Sequence, residues 1–358
     1  MKIELFEPHL VSEKGVFRYL FRSFIRYKNA GLVSEPRPFP SLLKPREHSS
    51  AWARFDGHLV FFDYSDHIFL YDAEALKNCD VYCKANLHHG VTRKALKEAG
   101  IQEHEHKILP FVWFAGNLEA YRLDSKWNRL MLLGARPNFD VCNIVGIYGN
   151  YLAIGEKSVI TGNSGPPVDP ARYHFWIRYH VQQALREAGV SGYYRLTSRG
   201  NRKLEDDQLI FSSLSERKYM RIMYESRFTV INTLPHALLP WKASESLMLG
   251  RPFIIERSPL TEVPEPFRLQ PKVHYLEMFP GFGNFNDDAE LEDPHCYRIL
   301  NRLDSDRLRE GAMNIAVAVK DRDLLEYMHE QARKYSATIL SPSFVADYVC
   351  GQVEKRIH

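Results

Sequence analysis

Lys242 and Glu245 stand three residues apart where an apolar helical run begins, with Ser244 and Ser246 beside them. An ammonium suits phosphate oxygens, and a carboxylate accepts hydrogen bonds from paired hydroxyls. Before them, residues 228–232 are apolar and β-branched and read as a buried strand that ends at Thr233. Pro235 and Pro240 break the chain, residues 241–249 read as a helix stopped by Gly250, and residues 252–255 open another strand. Parallel sheets bind ligands at the carboxyl ends of their strands, beside helix N-termini whose free N–H groups favour anions. Arg199, in TSRGN after a strand, adds a guanidinium that fits phosphate oxygens in bidentate fashion. An exposed i, i+3 ion pair is the plain alternative for Lys242 and Glu245. The two prolines and the otherwise apolar helix favour a ligand site.

The stretch ESRFTVINTLPHALLPWKASESLMLGRPFIIER, residues 225–257 of 358, resembles the donor-binding segment of GT-B glycosyltransferases, most closely the exostosin-like and related groups. Lys242, Glu245, Ser246, Leu247, Leu249, Gly250, Pro252 and Ile254 carry the match. The resemblance implies two Rossmann-like domains facing a cleft, with a C-terminal helix crossing back to the first. It also implies that Lys242 faces the diphosphate of a nucleotide-sugar and that Glu245 holds a ribose or sugar hydroxyl. By the same resemblance, residues 141–148 form the first strand of the donor domain, and Gly146, Tyr148 and Gly149 at its end bring backbone N–H groups to phosphate. The pattern there is not GxGxxG, so the dinucleotide fingerprint is absent.

In such a transferase the strand ending FFDYSDH places Asp63, Asp66 and His67 at the cleft. An inverting reaction needs a base on the acceptor hydroxyl, and a carboxylate or imidazole serves. Asp66 is the first choice, because Asp63 is still within the strand. His67 and His88 are the other candidates, His88 also as a donor to the leaving phosphate. A turn-capping role for Asp66 is the alternative.

Asp304 with Asp306, and Asp321 with Asp323, have DxD spacing but fall at helix starts, where the helix dipole favours carboxylates. No metal and no tightly bound cofactor are therefore expected, the nucleotide-sugar being a substrate. P-loop, GxSxG and HExxH patterns are absent. A formal charge of +3 does not by itself call for nucleic acid or membrane. Local basic groups (Arg199, Arg202 and Lys203; Arg217, Lys218 and Arg221) leave a hydroxymethylated base in DNA open as acceptor beside a glycan. A non-catalytic sugar-nucleotide or polyanion-binding protein of the same fold is the competing class.

The five scattered cysteines argue against a disulfide framework, and Cys79 and Cys83 read as buried thiols rather than zinc ligands. With no secretory signal and no apolar run of about 20 residues, the expected location is the cytoplasm and no transmembrane segment is expected.

The length suits two domains. Residues 2–6, 58–64, 80–85 and 107–114 read as strands and residues 14–27 and 91–99 as helices, a mainly parallel α/β layer; residues 32–46 read as a loop. A second series gives strands at 141–148, 192–196, 228–232 and 252–255, and residues 279–294, rich in Gly, Asn and Asp, read as a loop. Its helices fall at 170–188, 214–226, 241–249, 304–319 and 321–335, and a last helix at 342–357. The domains are then 1–135 on the acceptor side, 136–335 for the nucleotide-sugar, and 336–358 as the helix that packs back.

Overall fold

The computed structural model of the chain describes residues 1–6, 17–33, 50–64, 71–85, 87–111, 137–148, 170–199, 210–211, 214–232, 241–256, 263–279 and 305–358. In chain order the first elements are β1 (Ile3–Phe6), α1 (Arg18–Lys28), β2 (Gly31–Val33), β3 (Ser50–Phe55), β4 (His58–Asp63), α2 (Ala73–Asn78), β5 (Val81–Lys84), α3 (His89–Glu98) and β6 (Ile108–Pro110). There follow β7 (Phe139–Tyr148), α4 (Pro170–Glu187), β8 (Gly192–Arg199), β9 (Ile210–Phe211), α5 (Glu216–Tyr224), β10 (Ser226–Ile231), α6 (Trp241–Met248), β11 (Phe253–Ile255) and β12 (Tyr275–Glu277). The last are α7 (Ser305–Ala318), α8 (Arg322–Thr338) and α9 (Pro342–Ile357). No helix among the described residues is long and apolar enough to cross a membrane.

The chain divides into two compact units. Unit 1 comprises Met1–Arg122, Thr261–Arg268 and Tyr335–His358; unit 2 comprises Leu123–Leu260 and Leu269–Lys334. Among the described residues both are α/β, each with one six-stranded sheet.

In unit 1 the strand order is β2-β1-β3-β4-β5-β6. Among the described residues β2, β1, β4, β5 and β6 run in one direction and β3 runs against them, antiparallel to both β1 and β4, so the sheet is mainly parallel, as expected, with one reversed strand. The cause is a tight hairpin: Asp56 (φ 47°) and Gly57 (φ 94°) adopt the two left-handed conformations of a type I′ turn and pair Phe55 with His58. β2 takes Leu32 and Val33 from the stretch 32–46 read from sequence as a loop, because they pair in parallel with Leu5 and Phe6 of β1; the rest of that stretch lies outside the described residues. Trp52, Phe61 and Tyr82 pack in succession on one face of the sheet, with their rings tilted against one another. On the other, Phe24 of α1 meets Phe55 and Phe62. α9 packs on α1: the Tyr19 hydroxyl donates to the Leu340 carbonyl, and Lys28 pairs with Asp347 at 2.5 Å. Tyr335 donates to the Phe267 carbonyl at 2.9 Å, and Phe267 packs edge-on against Phe344 and Tyr348, which seats Thr261–Arg268 in this unit.

In unit 2 all six strands are parallel, in the order β9-β8-β7-β10-β11-β12. Numbered by sequence within the unit this is 3-2-1-4-5-6, the Rossmann order. Val141, Phe228, Val230 and Ile254 form the core with Ile177, Val181 and Leu185 of α4 and Leu308, Ala312 and Ile315 of α7. The alternate residue Thr229 faces α6, where Ser246 Oγ lies 2.9 Å from its hydroxyl. Such a doubly wound sheet opens a crevice at the carboxyl ends of its first and fourth strands, here β7 and β10.

Candidate functional site

The crevice forms because α4 leaves β7 toward one face and α6 follows β10 on the other. β7 and β10 pair with Thr229 beside Cys142, and that register brings the last residue of β10, Ile231, level with Ile144. Beyond it β7 continues to Tyr148, pairing with β8. The Ile144 carbonyl therefore lies where β10 ends, and Lys242, in the first turn of α6, reaches it with Nζ at 2.5 Å. Burial pushes the Lys242 ammonium down to about 8, and the Arg178 guanidinium adds to the shift; Cys142 and Glu245 oppose it. The ammonium also lies 5.9 Å from the ring centroid of Tyr219 in α5.

Arg178 lies in α4, the helix that follows β7. It is half-buried, with its Nε inaccessible to solvent. Four residues on, Gln182 donates from Nε2 to the carbonyls of Asn143 (3.0 Å) and Arg195 (3.3 Å), which ties α4 across β7 and β8. One helical turn of about 5.4 Å from that tie brings Arg178 toward the carboxyl ends of these strands. Two cations thus converge on the crevice, one from each face of the sheet.

Glu245 is 3% exposed, and its Oε2 accepts from the Tyr219 hydroxyl at 3.4 Å. Burial, with Glu245 next to it, raises the Tyr219 hydroxyl well above its ordinary range, so it stays protonated and donates. Ser246 is also bonded to the Arg251 carbonyl at 3.0 Å, so it fastens α6 to the sheet, and Ser244 is buried. Gly250, at φ 65°, ends the helix with its N–H on the Leu247 carbonyl. At the strand ends, Asn232 Nδ2 donates to Glu256 Oε1 at 2.9 Å, with both residues buried. Neither was picked out from sequence; their signal was a polar residue closing each of two apolar strands.

Arg199 is the last residue of β8 rather than part of the loop after it, and is in register with Tyr148; Gly146 pairs with Thr197. These three are placed by backbone alone. Gly149, Thr233, Asp66 and His67 lie outside the described residues.

In unit 1, His88 is the N-cap of α3: its Nδ1 accepts from the Val91 N–H at 3.4 Å, and its carbonyl accepts from Thr92 Oγ1. An imidazole that accepts at Nδ1 carries its proton on Nε2 while neutral, so the second nitrogen is a donor. Asp63, at the end of β4, is buried. Its Oδ2 accepts from Lys84 Nζ at 3.0 Å and from the Tyr82 hydroxyl at 2.6 Å, and the Lys84 side chain has no exposed surface. Lys84 closes the strand VYCK, a basic end to an apolar run that the sequence reading passed over. Cys79 and Cys83 are buried thiols; desolvation pushes Cys79 up to about 12 and Cys83 higher still. Among the other paired acids, Asp321 Oδ1 caps α8 by accepting from the Leu324 N–H at 3.0 Å.

No protein-family model and no curated protein matches the chain. Among solved structures, it is similar to a Listeria monocytogenes protein provisionally described as a UDP-N-acetylglucosamine 2-epimerase, at 12% identity and a TM-score of 0.36, over 80% of this chain and 61% of that one.

Proposed function

We propose that the chain is a nucleotide-sugar-dependent glycosyltransferase whose unit 2 binds the nucleoside diphosphate of the donor. The observation that carries the reading is the pair of cations, Lys242 and Arg178, converging on the β7–β10 crevice of a sheet with Rossmann strand order. A diphosphate needs positive charge in a place that backbone N–H groups also reach, and the start of α6 supplies the latter. Arg199, at the end of β8, is the third cation assigned to the phosphates. The acceptor is a hydroxyl of a glycan or of a hydroxymethylated DNA base; salt-dependent affinity for duplex DNA separates the two. Its base is assigned to Asp66, with His67 in reserve. His88 is assigned the donor role, because its Nδ1 is spent on the α3 cap.

The testing experiment is a thermal-shift screen against UDP, GDP, ADP, dTDP and CMP sugars, followed by calorimetry on the best ligand. Binding at a hundredfold excess over Kd raises stability by about 2.7 kcal/mol. Lys242→Met is expected to weaken that binding by about 1–3 kcal/mol without unfolding the chain. Failure of every compound to bind removes the reading. Release of free nucleoside diphosphate on turnover with an acceptor separates a transferase from a binding protein that keeps the fold without the chemistry.

A further inference from the structure

Asn232 directly follows β10 and Glu256 directly follows β11, and the register of Ile231 with Ile255 makes them neighbours at the carboxyl edge. The hydrogen bond from Asn232 Nδ2 to Glu256 Oε1 fixes the amide, because the flipped rotamer would set its oxygen against a carboxylate. Asn232 Oδ1 is then a buried acceptor with no hydrogen-bond partner among the described residues, in a residue only 7% exposed. Buried acceptors in this condition are rare and call for a donor.

We infer that Asn232 and Glu256 receive neighbouring hydroxyl groups of a sugar ring, a subsite that rests on the nucleotide-sugar reading above. Phosphate and carbonyl oxygens bring no hydrogen to Asn232 Oδ1, whereas a hydroxyl does. The hydroxyl oxygen also accepts, which suits the amide N–H groups beside it; an ammonium would be opposed by them. One O–H goes to Asn232 Oδ1 and its neighbour to the Glu256 carboxylate. The subsite lies at the ends of β10 and β11, and β10 borders the crevice that holds the diphosphate.

The experiment compares the intact chain with Asn232→Ala and Glu256→Gln by calorimetry at one salt concentration. The probes are the tightest-binding member of UDP, GDP, ADP, dTDP and CDP, its 2′-deoxy or ribo counterpart, and its glucose conjugate. The intact chain is expected to prefer the form with more hydroxyls by at least about tenfold, and both variants to lose that preference while binding the poorer form within about twofold of the intact chain. Loss of discrimination at the 2′ position assigns the subsite to the ribose; loss of the preference for the conjugate assigns it to the transferred sugar. A preference absent from the intact chain, or kept in both variants, overturns the inference and leaves the nucleotide reading standing. Absence of binding by every diphosphate removes both. Glu256→Gln preserves shape and carries the test should Asn232→Ala fail to fold.

Discussion

Arg251 Nη1 lies 3.1 Å from His329 Nδ1, and since a guanidinium only donates, the imidazole must accept there. Arg251 also donates to the Tyr224 carbonyl, from Nε at 3.0 Å and Nη2 at 2.7 Å, so the start of β11 is fastened to the end of α5 and to α8. His329 therefore sits inside unit 2 as a neutral acceptor. Burial, reinforced by Arg251 and Arg333, pushes its pKa down from 6.5 to about 3.

The first prediction concerns acid. Between pH 3 and 6.5 the unfolded chain holds a proton on His329 that the folded chain does not, so stability falls as pH drops below 6.5. The slope is at most about 1.4 kcal/mol per pH unit for this group. His274, lowered to about 4 by burial, acts in the same direction. His329→Gln keeps an acceptor for Arg251 without the titration, and urea unfolding at pH 4 to 7 should show a flatter acid limb. An unchanged limb would put the acid sensitivity elsewhere.

The second concerns the buried pair of unit 1. Lys84→Met leaves the Asp63 carboxylate buried with its cation gone, and the expected cost is about 3–5 kcal/mol. Adding Asp63→Asn should recover part of it. Chemical denaturation of the single and double variants measures the coupling, and a cost below about 1 kcal/mol for the single change would show that the pair matters little.

The third links Lys242 to nucleotide affinity. Its folded pKa of about 8 means that an anion must draw a proton onto it at pH 8.5. Binding should take up part of a proton there, visible as buffer-dependent heat, and affinity should fall as pH rises from 8 toward 10. The intact chain also carries a stability contribution from this residue, with the opposite pH dependence. Folded Lys242 holds its proton less tightly than unfolded lysine, so stability rises with pH between 8 and 10.5. Lys242→Met should remove both slopes together.

The fourth places the acceptor base. Asp66→Asn is expected to leave donor affinity intact and to cut transfer by about 10²-fold or more. Full transfer in this variant would pass the role to His67, and loss of folding would mark Asp66 as a turn cap.

The fifth is that transfer proceeds without divalent cation. Activity abolished by EDTA and restored by Mg²⁺ or Mn²⁺ would mean that a metal assists the chemistry.

Unit 2 was legible in the sequence because each buried parallel strand is a short apolar run between breakers; residues 228–232 and 252–255 shift by only one or two positions in β10 and β11. Unit 1 was less so. β3, SAWARF, alternates small, aromatic and charged residues and lacks the apolar signature of its neighbours. The clue that was available was the Asp56–Gly57 dipeptide, a hairpin signal between two strands. At the site, Lys242 and Glu245 stood out through local spacing. Arg178, Lys84 and the Asn232–Glu256 pair did not, because each gains its meaning from a partner supplied by the fold: the crevice for Arg178, Asp63 for Lys84, and the neighbouring strand for Asn232.

The packing of α9 on α1 has a consequence for the order of events during synthesis. The Tyr19 to Leu340 contact spans 321 residues of sequence, and unit 2 is contained between the segments that it joins. Leaving the ribosome, unit 2 has all its strands before α9 exists, whereas α1 must wait with Tyr19 and its neighbouring aromatic surface uncovered. The half of the molecule made first is the half completed last, and loop closure over that distance sets it among the slower steps of folding.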